Sequence, residues 1–101
     1  MVKPLADFIN GLGITSVVIP NTITSIGTDA FLGNKLANIT IPSRVIEISF
    51  EAFADNQITS ITFPDTIITL GCRVFDGNPI MEDGSYSYPS NVTEVCESLI
   101  F

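Results

Sequence analysis

The chain has 101 residues, 46% of them hydrophobic and 15% charged, which fits one folded domain and excludes a disordered chain. Four basic against eleven acidic residues give a net charge of −7, which argues against nucleic acid or anionic lipid as partners. No apolar run approaches the roughly 20 residues of a membrane helix, so membrane insertion is not expected. The N-terminal stretch 1–13 carries Asp7 and no clean apolar run, so it does not resemble a signal peptide.

A similar sequence of about 22 residues recurs along most of the chain. ITSVVIPNTITSIGTDAFLGN begins at Ile14, LANITIPSRVIEISFEAFADN at Leu36, and ITSITFPDTIITLGCRVFDGN at Ile58. Three gapless repeats of 22 residues follow, at 14–35, 36–57 and 58–79. A fixed period of this size predicts a solenoid, because a single coil cannot bury its apolar side without a neighbour.

Each repeat opens on an alternating apolar stretch that ends at a proline. Alternation with β-branched residues predicts short stacked parallel strands at Val17–Ile19, Ile39–Ile41 and Ile61–Phe63. The proline ends each strand because it has no N–H for the ladder. The outward side chains are small and uncharged, and they form the candidate binding face of the sheet: Ser16, Val18, Asn38, Thr40, Ser60 and Thr62.

The second half of each repeat supplies further columns of equivalent residues. Two apolar columns are predicted to point inward, and they comprise Ile23, Val45, Ile67 and Ile26, Ile48, Leu70. An outward strip is predicted at Thr24, Ile46 and Ile68. A single helical or 3₁₀ turn then places a phenylalanine column in the core, at Phe31, Phe53 and Phe75. The asparagines that close the coils are expected to bond unpaired loop backbone: Asn34, Asn56 and Asn78.

The ends of the chain depart from the repeat, as the caps of a solenoid do. Residues 1–13 are interpreted as a degenerate N-terminal cap and 80–101 as an irregular last repeat, so that 1–101 is one domain. Counting from Pro89 places Tyr86 and Tyr88 inward and gives Val92 and Val95 the two core positions. The end strands of such a stack have unpaired edges, which could pair with another copy of the chain, so self-association is a further expectation.

Cys72 and Cys96 fall on neighbouring coils in this register. Coils about 4.8 Å apart are compatible with a disulfide, whose Cα atoms must lie within about 7 Å of each other. Two small buried thiols are the alternative.

The residues of known catalytic and metal sites are mostly missing. The chain has no histidine, which excludes Ser-His-Asp and Cys-His catalysis, and two cysteines cannot build a four-ligand zinc site. We therefore expect no enzyme activity, no cofactor and no metal site. Asp29, Glu51 and Arg73 share one column, which is typical of a solvated ridge.

The I-P step, the I-G/S pair and the A-F pair of the repeat resemble the BspA-like leucine-rich repeats, strongly over 14–79 and weakly over 80–101. The period is one residue shorter than is common there, and Asn replaces a frequent Cys. The resemblance implies a right-handed curved solenoid with a parallel sheet on its concave side. It also implies a bacterial surface location, or one in a parasitic protist, and a role in adhesion.

From the residues and the resemblance together we expect a non-enzymatic interaction or adhesion module of a cell-surface or secreted protein. It would bind a protein or glycan through the outward face of the sheet. The alternative is a structural spacer or self-associating solenoid with no specific ligand on this segment. A weaker third hypothesis is that the Thr-bearing face binds an ordered surface such as ice or polysaccharide.

Overall fold

The computed structural model describes residues 11–96, and short parallel strands supply its regular structure. In chain order the strands are β1 (Ser25–Ile26), β2 (Asn38–Thr40), β3 (Glu47–Ile48), β4 (Ser60–Thr62), β5 (Ile68–Leu70) and β6 (Val92–Glu94). A 3₁₀ turn spans Pro79–Met81. Most of the predicted N-terminal cap, with Asp7, and the end of the predicted last repeat lie outside the described residues.

The strands form two separate parallel sheets. One has four strands in the order β1-β3-β5-β6, and the other has two strands, β2-β4. Register partners such as Ser25 and Glu47, or Asn38 and Ser60, are 22 positions apart in the sequence. The last pairing joins Ile68 to Val92, which are 24 positions apart. Strands this short are not stable alone, so the packing between successive chain segments must hold them.

The strands of the two-stranded sheet begin one residue earlier than predicted, and the predicted strand at Val17–Ile19 is wrong. The Lys35 N–H donates to the Ile14 carbonyl at 2.8 Å, but no strand pairing follows over the residues after Ile14. Buried and exposed side chains still alternate here although no strand hydrogen bonds form, since Ile19 is buried while Val18 is 90% exposed.

In the four-stranded sheet, the predicted roles of Ile67 and Ile68 are exchanged. Ile67 is 76% exposed and Ile68 is fully buried. The cause is the length of β5, which starts at Ile68, so that strict alternation from buried Leu70 turns Ile68 inward. β6 pairs Val92 with Ile68 rather than Ile67, and this one-residue slip leaves Val95 49% exposed instead of in the core.

The predicted phenylalanine column is confirmed as the centre of the core. Phe31, Phe53 and Phe75 are buried, and their rings stack at centroid distances of 5.1 and 5.4 Å with planes 7° and 4° from parallel. The three rings are 22 positions apart in the sequence, so the core runs continuously through the three chain segments that carry them.

The predicted asparagine bonds are confirmed as well. The Asn56 side-chain amide donates to the carbonyls of Phe31 and Phe53 at 2.9 and 3.0 Å, and its Oδ1 accepts the Leu36 N–H at 3.0 Å. Asn78 repeats the arrangement with Phe53, Phe75 and Ile58. These bonds satisfy backbone groups that no strand would pair.

The segments before the phenylalanines are hydrogen-bonded turns, and no helix is assigned to them in the described residues. The Ala30 and Ala52 N–H groups donate three residues back, to Gly27 and Ser49. Helical continuation is blocked because the residue before each alanine is left-handed, with φ of 59° at Asp29 and 54° at Glu51.

Candidate functional site

The outward face of the β2–β4 sheet carries four of the six residues predicted to bind. Asn38, Thr40, Ser60 and Thr62 are all exposed, and the register pairs Asn38 with Ser60 and Thr40 with Thr62. The Ser60 hydroxyl donates to Asn38 Oδ1 at 2.6 Å, which fixes both side chains. The result is a flat, uncharged surface that offers hydroxyl and amide groups but no acid–base pair.

The other two predicted residues, Ser16 and Val18, are exposed beside this sheet but not within a strand. Between their segment and β2 lies a groove of about 410 Å³, and its lining consists of Val17, Val18, Ile19, Asn21, Asn38, Thr40 and Pro42. The structure therefore brings Val18, Asn38 and Thr40 to one concavity. Ser16 does not line it.

This groove combines the two properties of a binding pocket, apolar walls and a few polar groups. Valine, isoleucine and proline side chains supply the walls, while Asn21, Asn38 and Thr40 supply donors and acceptors. It exists because residues 17–19 form no strand beside β2, so the two chain segments stay apart at this point.

At the other end of the described chain, the structure joins Cys72 and Cys96 through a disulfide, with their Cα atoms 4.7 Å apart. Their sequence separation of 24 equals the offset of the β5–β6 pairing, so they lie directly opposite each other. The bond ties the segment that contains β6 to the segment that contains β5.

Loss of this bond is expected to lower the free energy of unfolding by about 2–4 kcal/mol, because the open chain regains loop entropy when unfolded. Urea unfolding of the oxidised protein, the dithiol-treated protein and the Cys72→Ser/Cys96→Ser variant measures it. The free energy of unfolding of the variant should equal that of the reduced protein, and the dithiol should not change it. Equal stability of oxidised and reduced protein would show that the last segment does not depend on the disulfide.

The last segment also packs against the core through Tyr88. Its ring lies 6.0 Å from Phe63 and 6.3 Å from Phe75, and Tyr86 meets it edge-on at 5.5 Å. Burial, with smaller contributions from Glu94, Tyr86 and Asp76, raises the pKa of Tyr88 well above its usual range. Tyr88 therefore joins the last segment to the aromatic core.

A family model for the BspA type leucine rich repeat region, in six copies, matches residues 6–101. The chain belongs to the BspA-type leucine-rich repeat family. This confirms the resemblance drawn from the I-P, I-G/S and A-F steps. No curated protein and no solved structure matches the chain. Repeats of this family generally mediate protein interactions and are generally not enzymes, and BspA-type proteins are typically secreted or displayed on bacterial surfaces.

Arg73 of this BspA-type chain forms two ion pairs on the surface. Arg73 Nε lies 3.2 Å from Asp76 Oδ2 and 3.9 Å from Glu51 Oε2, and such exposed pairs are worth less than about 1 kcal/mol. Within residues 11–96, no group of three or more His, Cys, Asp or Glu side chains is placed to hold a metal ion. The same residues contain no helix long and apolar enough to span a membrane.

Proposed function

We propose that this chain is a non-enzymatic interaction module of a cell-surface or secreted protein, binding a protein or glycan through the β2–β4 face. The observation that carries the proposal is the groove of about 410 Å³ beside Thr40, which lies on the face that alternation turns outward. Family membership supports a role in protein interaction. The adhesion role and the surface location belong to the proposal.

We also propose that the chain is a solenoid of 22-residue coils, with repeats at 14–35, 36–57 and 58–79 between a cap at 1–13 and a last repeat at 80–101. The register partners 22 positions apart in both sheets support this architecture. So do the phenylalanine stack and the asparagine bonds, which recur from one repeat to the next.

Binding at the β2–β4 face would combine one apolar anchor point with polar contacts around it. Val18 is 90% exposed at the rim of the groove, and Asn38 and Thr40 lie on its other side. Short side chains let a partner approach the sheet closely. Because the face lacks the Trp, Tyr or Arg typical of hot spots, one domain should bind weakly, and several linked copies would bind more tightly.

The test is solid-phase binding of the folded protein to a panel of matrix proteins and glycans. Thr40→Arg places a long charged side chain at the centre of the face, and we expect it to abolish binding. Thr69→Arg makes the same change on the exposed face of the other sheet and should leave binding intact. A ligand that Thr40→Arg does not affect would place the site elsewhere.

A structural spacer or self-associating solenoid is the second candidate, favoured by the absence of a large aromatic or basic anchor among the six residues of the face. A folded, monodisperse sample that binds nothing on the panel would support the spacer. A sample that forms dimers or chains would support self-association through the ends of the stack.

A further inference from the structure

One edge of β2 is left without a paired strand among residues 11–96. β2 is hydrogen-bonded to β4 alone. The Thr59 N–H donates to the Ala37 carbonyl at 2.9 Å, and the Ile41 N–H donates to the Thr62 carbonyl at 2.8 Å. The backbone groups of Ala37 and Ile41 therefore face β4.

The backbone groups of Asn38 and Thr40 face the opposite way, along what we call the β2 edge. Successive residues of a strand direct their N–H and C=O groups to alternate sides, so the residues between Ala37 and Ile41 divide in this manner. Asn38 and Thr40 also line the groove of about 410 Å³ described above. The groove thus has backbone donors and acceptors along one wall.

Segment 15–23 lies beyond the β2 edge without pairing to it. The Lys35 N–H donates to the Ile14 carbonyl at 2.8 Å, and the Ile46 N–H donates to the Thr24 carbonyl at 2.9 Å, so the segment is attached on both sides of the gap. Between these two bonds, no backbone hydrogen bond of the described residues joins the segment to β2. The groove is therefore held in place at both ends and open in the middle.

Nothing in β2 itself keeps another strand away from this edge. Unpaired N–H and C=O groups along a strand are a template for a further strand, and proteins usually protect them with charged residues, proline or a bulge. The sequence of β2 is Asn-Ile-Thr, which has none of these. Segment 15–23 stands across the groove, which leaves room for a single extended chain but not for the sheet edge of a second folded copy.

The lining of the groove favours an uncharged peptide. Val17, Ile19 and Pro42 supply apolar walls, and no charged side chain lines the groove although the chain carries −7. No aromatic side chain lines it either, so a sugar ring has nothing to stack on. Strand addition needs no large side chain in the site, because main-chain hydrogen bonds supply the affinity.

We propose that the β2 edge binds an extended, uncharged segment of a partner protein as an added parallel strand. The backbone groups of Asn38 and Thr40 pair with the main chain of that segment, as the other side of β2 pairs with β4. The inference rests on the proposed function, in which the β2–β4 face binds. It names the partner as a polypeptide recognised through its backbone, and not a glycan.

The probe is a fluorescein-labelled peptide, LANITIP, titrated by fluorescence anisotropy. Its sequence is that of residues 36–42, which hold the equivalent position against β4. Methylating the backbone nitrogens of its two isoleucines removes the donors that would face β2, whereas methylating those of its Asn and Thr removes donors that would face away. We expect the first change to raise Kd at least about tenfold and the second to leave Kd within about twofold.

A proline substitution tests the same edge on the protein. Thr40→Pro removes the N–H that faces the groove and leaves the hydrogen bonds to β4, so it should raise the Kd of the unmethylated peptide at least about tenfold. Ser90→Pro is the matched control, because Ser90 is exposed in the turn that the Val92 N–H closes on the Pro89 carbonyl. It should leave Kd within about twofold. Thermal unfolding checks both variants, and the methylated peptides test the proposal even where Thr40→Pro fails to fold.

Several results would overturn the added strand. Equal weakening by the two methylation patterns would show that the peptide backbone does not carry the binding. No binding of the unmethylated peptide to the folded wild type would remove the site. A dimer that Thr40→Pro dissociates in sedimentation would assign the edge to a second copy of the chain. A panel ligand lost on Thr40→Arg but kept on Thr40→Pro would leave the proposed function standing and contradict the added strand alone.

Discussion

Replacing Phe53 with alanine lowers the free energy of unfolding by about 3–5 kcal/mol. The Phe53 ring is fully buried between Phe31 and Phe75, at 5.1 and 5.4 Å from their centroids. Removing it leaves a cavity that the neighbouring rings cannot fill without leaving their own stacking positions. Urea unfolding followed by circular dichroism measures the loss.

Phe50→Ala is the matched control, because Phe50 lies three residues away and is 41% exposed. Its removal should cost only about 1 kcal/mol or less, as surface substitutions do. An equal loss in the free energy of unfolding for the two variants would mean that the phenylalanine column does not form the core. The proposed stacking of repeats would then be wrong as well.

Replacing Asn56 with alanine is expected to cost about 2–4 kcal/mol, although little apolar area is removed. The side chain satisfies the Leu36 N–H and the carbonyls of Phe31 and Phe53, and Asn56 itself is buried. Without it, the Leu36 N–H stays buried and unpaired, at about 1–3 kcal/mol, while the Phe31 and Phe53 carbonyls keep the bonds from Asn34 and Asn78 and lose about 1 kcal/mol between them. Urea unfolding at one temperature gives the difference.

Asn38→Ala serves as the control for Asn56, since Asn38 is exposed. Its side-chain oxygen accepts a hydrogen bond from the exposed Ser60 hydroxyl and not from buried backbone. Its loss should change stability by less than about 0.5 kcal/mol. A small effect at Asn56 would show that water reaches the backbone groups it bonds, which contradicts its burial.

The features of the fold that recur at equal spacing along the sequence could be predicted from it. Phe53 and Asn56 meet the same surroundings as their equivalents one repeat away, so three copies of one residue at one position mark a shared structural role. The same holds for the parallel pairing of Asn38 with Ser60, which follows from alternation and spacing together.

The parts that differ between repeats could not be predicted in this way. Whether Ile67 or Ile68 points inward depends on where β5 begins, and both residues are isoleucine. Val95 was placed one residue out of register because the insertion before Pro89 hides the offset of β6. A clue was present in the cysteines, since their separation of 24 equals that offset.

Of the candidate site, the outward residues of β2 and β4 followed from alternation, but the groove beside them did not. It arises because the first repeat lacks a strand opposite β2, and the apolar sequence at Val17–Ile19 gave no sign of this.

The interaction role of the β2–β4 face is tested most directly by the Kd of a panel ligand for three proteins, the wild type, Thr40→Arg and Thr69→Arg. We expect Thr40→Arg to raise Kd at least about tenfold and Thr69→Arg to leave it unchanged. A ligand lost on Thr69→Arg but kept on Thr40→Arg would contradict the proposed face. A folded, monodisperse wild type with no ligand on the panel would contradict the interaction role itself.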